Sequence, residues 1–172
     1  MKNSIEHILA KSLKAELIAY IEAHPKKVNE LIQLAISNQP PHSARAAWLL
    51  SKVAKKEQVA IKQHITSIFQ ILPLVKDGQK RDLLNVLRHL DLSAEEEGIL
   101  YNISVNIWTD LSKIPSARLN AFKFIMVVCK KYPELHKEFL LLTEDYYLAS
   151  LSPGIKRVVH KMINRLVMIL KK

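Results

Sequence analysis

Ser43-Ala44-Arg45-Ala46-Ala47-Trp48-Leu49-Leu50-Ser51-Lys52-Val53 and Gln79-Lys80-Arg81-Asp82-Leu83-Leu84-Asn85-Val86-Leu87-Arg88-His89 carry one pattern, an arginine followed by apolar residues at helical spacing. Ser116-Ala117-Arg118-Leu119-Asn120-Ala121-Phe122 and Ile155-Lys156-Arg157-Val158-Val159 repeat it more loosely. The four arginines stand 36, 37 and 39 residues apart. A period in that range marks a chain built by stacking one small unit several times.

The surrounding composition agrees. Among 172 residues, 49% are hydrophobic, enough for a real core, and only three are glycine. Prolines fall where helix boundaries are expected, so the chain reads as all-helical rather than as sheets joined by tight turns. Cys129 is the only cysteine and sits in the apolar run Phe124–Cys129, which predicts a buried thiol and excludes an intrachain disulfide or a thiolate metal site. The N-terminal residues lack a secretory pattern, and no apolar run approaches the ~20 residues of a membrane span, so a cytoplasmic protein with no membrane partner is expected.

Apolar periodicity predicts nine helices. A lead-in helix spans 4–23, with Pro25 opening the next, to 38. Gln39-Pro40-Pro41 stops that one. Helices follow over 42–57, 59–75, 79–91 (after an Asp77-Gly78 turn), 93–111, 115–132, 133–150 and 152 to the end. Ser93 is an expected N-cap, with Glu95, Glu96 and Glu97 facing the helix dipole. Trp108 and Tyr101 read as core, and Tyr146-Tyr147 as packing on the last helix.

On these residues the chain resembles HEAT repeats. Leu74–Leu90 is similar to the turn and second helix of such a unit, and Ser43–Val53 matches the same pattern. The aspartate that precedes the arginine in that family has no counterpart six residues back, where Gln39, Val75, Ser112 and Leu151 stand. The resemblance implies a right-handed α-solenoid in one domain, residues 1–172. A capping helix over 1–24 would lead four helix pairs over 25–172, with the trailing helices on the concave side.

Charge is distributed unevenly between the two helix types. The trailing segments (42–56, 77–91, 115–131, 152–172) hold 17 Lys and Arg against three acids. The leading segments (25–38, 59–74, 93–112, 133–150) hold four against nine, within a net charge of +10. The expected consequence is a basic groove that attracts an anionic partner, either an acidic protein or peptide or a nucleic acid. Its candidate contacts are Arg45, Trp48, Lys52 and Lys56 on one trailing helix and Arg81, Asn85, Arg88 and His89 on the next. Arg157, Lys161 and Arg165 form a stripe on the last, opposite Val159, Ile163, Leu166 and Leu170. Trp48 either stacks on a ligand or packs on a neighbouring helix. Arg118, in an apolar helix, is expected to be partly buried, satisfying backbone carbonyls at a turn.

No zinc-binding histidine pair, phosphate loop or nucleophile elbow occurs, so neither a metal nor a cofactor is implied. The sequence favours a non-enzymatic binding or scaffold module for an acidic protein or peptide. The alternative is a nucleic-acid-binding protein, because HEAT-like DNA alkylation repair glycosylases share the architecture. Asp82 would then be the candidate catalytic carboxylate.

Overall fold

The computed structural model describes residues 5–170, the side chains of Lys11, Ile169 and Leu170 excepted. Expectations placed on residue 4, on the Leu170 side chain and on Lys171 and Lys172 lie outside the described residues. Among the described residues every regular element is helical, as twelve α-helices and two short 3₁₀ turns. Contacts divide the chain into two compact units, residues 1–91 and 92–172.

The first unit comprises α1 (Ile5–Lys11), α2 (Lys14–Ala23), a 3₁₀ turn (Pro25–Lys27), α3 (Val28–Ile36), α4 (His42–Val53), α5 (Gln58–Lys62), α6 (Ile65–Ile71) and α7 (Asp77–Leu87). Helix α4 is its centre and touches α1, α2, α3 and α7. Ile5, Leu9, Leu17, Ile21, Leu31, Ile32, Leu50, Ile61, Leu83 and Leu84 are buried around it. Each such side chain contributes about 1.5–3 kcal/mol on leaving water.

The sequence period becomes a spatial register. Ser43 Oγ donates to Gln79 Oε1 at 3.2 Å, 36 residues apart. Lys56 Nζ donates to Glu22, 34 residues apart. At the other end of α2, Lys14 reaches the Trp48 ring at the same offset. Helices α2, α4 and α7 therefore run side by side in one direction, each displaced from the next by about one repeat.

Several expected helices are shorter or broken. The single capping helix over 1–24 is two helices. Leu13 is extended (ψ 160°), and the Glu16 carboxylate accepts its N–H at 2.8 Å, which starts a new helix at Lys14. Pro25 opens a 3₁₀ turn rather than a full helix, and α3 ends before Asn38, whose φ of 53° is the left-handed conformation that asparagine tolerates at a helix end. The helix expected over 42–57 stops at Val53, and that over 59–75 is α5 and α6, parted at Gln63-His64. Helix α7 runs from Asp77 to Leu87 instead of 79–91. Asp77 and Gly78 form its first turn, where a carboxylate suits the dipole.

The second unit comprises α8 (Ala94–Thr109), α9 (Pro115–Lys131), a 3₁₀ turn (Pro133–Leu135), α10 (His136–Leu141), α11 (Asp145–Ala149) and α12 (Pro153–Leu170). Ser93 caps α8 as expected: its Oγ accepts the Glu96 N–H at 3.2 Å, and the Glu96 carboxylate accepts the Ser93 N–H at 2.7 Å. Helix α9 packs on α8, α10 and α12. Trp108, Phe122 and Phe139 build the core, with ring centroids 4.4 and 5.8 Å apart. The helix expected over 133–150 is broken, because Thr143 Oγ1 turns back to Leu140 O at 2.7 Å and Glu144 is extended (ψ 148°). Tyr146 does not pack on the last helix; it is 66% exposed and meets Tyr147 edge-on.

Candidate anion-binding cleft

The first turns of α2, α4 and α7 meet around a cleft of about 540 Å³ in the first unit. Lys14 opens α2, Ala44 and Arg45 lie in the first turn of α4, and Gly78 and Gln79 lie in that of α7. Trp48, Lys76, Arg81 and Asp82 complete the lining. Helix N-termini leave backbone N–H groups unpaired and carry partial positive charge, so the ends gathered here add to the field of four cationic side chains.

The cleft's back wall is held by Gln79, which is 2% exposed. Its Nε2 donates to Ala35 O at 2.8 Å while its Oε1 accepts from Ser43, so one side chain ties α3, α4 and α7. Trp48 is half-buried, which resolves its two readings in part: one side packs and the rest faces the cleft. Lys14 Nζ stands 5.5 Å and Lys52 Nζ 5.7 Å from the indole centroid. Each such contact is worth about 0.5–1 kcal/mol at an exposed site.

The cations differ in how they are balanced. Arg81 forms a bidentate pair with Asp82, Nε to Oδ1 and Nη2 to Oδ2, both at 2.9 Å. That pair raises the Arg81 pKa, and its hydrogen bonds outweigh the opposing effect of burial. Arg45 is exposed and only grazes Ser12 O, at 3.4 Å. Among the described residues no carboxylate pairs with Lys14, Arg45, Lys52 or Lys76.

Of the residues singled out in the sequence, Arg45, Trp48, Arg81 and Asp82 line this cleft, and Lys52 borders it through Trp48. Lys56 does not; it is paired with Glu22. Asn85 lies further along α7, and Arg88 and His89 follow its last residue, Leu87. There Asn85 Oδ1 accepts from Arg88 Nη2 at 2.7 Å, and burial lowers the Arg88 pKa. Burial, then the charges of Arg88 and Lys55, lower that of His89. Arg157, Lys161 and Arg165 are exposed along α12 in the second unit, opposite buried Val159 and Leu166.

Sequence reading missed Lys14 and Lys76. Lys14 looked like a mid-helix residue until the chain broke at Leu13, although it stands one repeat before Trp48. Lys76 is the extended residue that precedes α7.

The trailing helices' charge excess is also smaller in effect than the sequence count suggests. Lys131 of α9 donates to both Glu97 oxygens, at 3.0 and 2.8 Å, and Tyr132 donates to the same carboxylate at 2.8 Å. Burial pushes the Glu97 pKa up, yet these bonds together hold it down. Lys80 is 3% exposed and its Nζ donates to Pro73 O at 3.3 Å. Arg118 meets backbone carbonyls at a turn as expected, and is buried further than the partial burial expected of it, at 1% exposed. Its Nε donates to Trp108 O, Nη1 to Ser150 Oγ and Nη2 to Tyr147 O, at 2.8, 2.7 and 2.6 Å.

Among the described residues no group of His, Cys, Asp or Glu could hold a metal ion, and no helix is long and apolar enough to cross a membrane. The HEAT repeat domain family matches residues 1–166. No curated protein and no solved structure matches the chain.

Proposed function

The chain belongs to the HEAT repeat domain family, and from that premise we propose that it is a non-enzymatic binding module whose first unit takes an acidic protein or peptide into the α2–α4–α7 cleft. One observation carries the reading. Lys14, Arg45, Lys76 and Arg81 face a single carboxylate, Asp82, in one cleft. Clustered like charges repel and cost stability unless something of opposite sign arrives, so the cleft is built to attract an anion. Its volume suits a side chain or chain terminus rather than a duplex, whose affinity comes from many phosphates along an extended track. Trp48 adds an apolar surface beside the cations, which suits an acidic residue flanked by an apolar one.

The test is fluorescence anisotropy with a labelled poly-glutamate peptide. Wild type should bind at low salt. Replacing Lys14, Arg45 and Lys76 together with Glu should abolish binding while far-UV circular dichroism stays unchanged. Retained affinity in that variant places the site elsewhere.

A second reading rests on Trp48, whose half-exposed indole between Lys14 and Lys52 also suits stacking on a nucleobase. A labelled random DNA duplex binding more tightly than the peptide, with steep weakening by salt, would favour it. Within that reading a glycosylase would need Asp82 as an active carboxylate, but both its oxygens are held by Arg81. Release of an alkylated base by wild type and not by Asp82→Asn is the observation that reading requires.

A further inference from the structure

We propose that Asp82 is an internal stand-in for the partner's anion, occupying the Arg81 fork until a carboxylate of the partner takes its place. The inference rests on the peptide-binding reading above. Adjacent residues on an α-helix point about 100° apart. Arg81 can therefore meet its neighbour Asp82 only by bending its guanidinium sideways around its own helix, so that its fork, although it lines the cleft, is already occupied. It does so with two parallel 2.9 Å hydrogen bonds. The Asp82 side chain is 11% exposed and that of Arg81 38%, so the carboxylate is the deeper member and the guanidinium the one within reach of a ligand.

The rest of the cleft makes the exchange workable. Lys14, Arg45 and Lys76 line the same space as the pair. When a partner carboxylate takes the Arg81 fork, Asp82 gives up its two bonds to Arg81 but stays in a cleft lined by these three cations. No bond other than hydrogen bonds is made or broken, and charge is conserved. The device also selects. A guanidinium fork matches a planar carboxylate at two points. A neutral acceptor bonds a guanidinium more weakly than a carboxylate does and leaves the internal pair intact.

Four proteins test this: wild type, Asp82→Asn, Arg81→Gln and the double variant, each titrated with a labelled poly-glutamate peptide at low salt. Asp82→Asn should bind about fivefold more tightly, which is what ~1 kcal/mol for a partly exposed ion pair converts to. Arg81→Gln should bind more weakly than wild type. In the Arg81→Gln background the Asp82→Asn gain should largely vanish, because there is no longer a fork to release.

A gain of the same size with and without Arg81 would make Asp82 a simple repulsive charge and overturn the stand-in role. Unchanged or weaker binding by Asp82→Asn would overturn it too, and leaves the peptide reading standing if wild-type binding still depends on Arg45 and Lys76. Absence of peptide binding in all four proteins would sink that reading and this inference with it. Should Asp82→Asn lose helical content, Asp82→Thr serves in its place.

Discussion

Replacing Arg118 with methionine removes a guanidinium that is 1% exposed and has no ion-pair partner among the described residues. Its three donors hold two backbone carbonyls, Trp108 O and Tyr147 O, and the Ser150 hydroxyl. Its Cζ also stands 4.8 Å from the Trp108 ring centroid. Methionine keeps most of the apolar stem, so the loss falls on the polar contacts. A buried acceptor left without a partner costs about 1–3 kcal/mol, whereas exposed Ser150 can bond water instead. The buried Trp108 carbonyl then costs ~1–3 kcal/mol, the half-buried Tyr147 carbonyl less, and the cation–aromatic contact adds ~0.5–2 kcal/mol. Against this stands relief from burying a charge, which is several kcal/mol. Burial already lowers the Arg118 pKa, with Asp110 opposing it. The expected balance is a loss of about 1–3 kcal/mol from the second unit, the cost of stranding a buried acceptor. Urea unfolding followed by Trp108 fluorescence, in a Trp48→Phe background, isolates that unit. Arg118→Lys should be at least as damaging, since one ammonium cannot serve three acceptors in a fork geometry. A methionine variant that loses less than ~1 kcal/mol, or gains stability, would refute the reasoning and show the carbonyls to be satisfied without the guanidinium.

Gln79→Leu should lower the stability of the first unit by about 1–3 kcal/mol, because it strands Ala35 O and Ser43 Oγ in the wall of the cleft; thermal melting read by Trp48 fluorescence checks it. Burial pushes the Cys129 thiol up to about 11, so iodoacetamide at mildly alkaline pH should label it only after denaturation, and rapid labelling of the folded protein would contradict its placement. The Asp110 carboxyl is held down at about 2 by the Ser112 hydroxyl and N–H and by Lys113, against its usual 3.8. A depressed pKa contributes stability that is present above the unfolded value and lost as pH falls through the folded one. The urea midpoint should therefore drop between about pH 4 and about pH 2, and Asp110→Asn should flatten that drop.

The architecture was legible because it is repetitive. An apolar face at helical spacing, recurring with an arginine every 36 to 39 residues, is a strong statistical signal. The helix ends were less so. The breaks at Leu13, at Gln63-His64 and at Thr143-Glu144 contain neither glycine nor proline. The first follows from side-chain capping by Glu16 on Leu13 N–H and the last from back-bonding by Thr143 on Leu140 O, neither of which apolar periodicity can register, while no side chain caps the break at Gln63-His64. The largest consequence was at the candidate site. With α1 and α2 read as one helix, Lys14 had no reason to join Arg45 and Trp48.

The four periodic arginines show why a repeat position does not define a role. Arg45 is exposed beside the cleft, Arg81 is locked to Asp82, Arg118 is buried on carbonyls, and Arg157 is exposed on α12. All four occupy one place in the repeat, so their backbone settings are alike. What differs is the partner each local sequence supplies. Asp82 follows Arg81, while leucine, alanine and valine follow the other three. A broken leading helix presents the Tyr147 carbonyl and the Ser150 hydroxyl to Arg118. Arg45 meets only a distant carbonyl. A cation whose fold provides a partner is part of the scaffold, because removing it strands what it holds. One without a partner lowers the stability of the free protein and gains from an external anion. That difference separates the arginines whose loss should unfold a unit from those whose loss should only abolish binding, and it places Arg45, with Lys14 and Lys76, in the second group and Arg118 in the first.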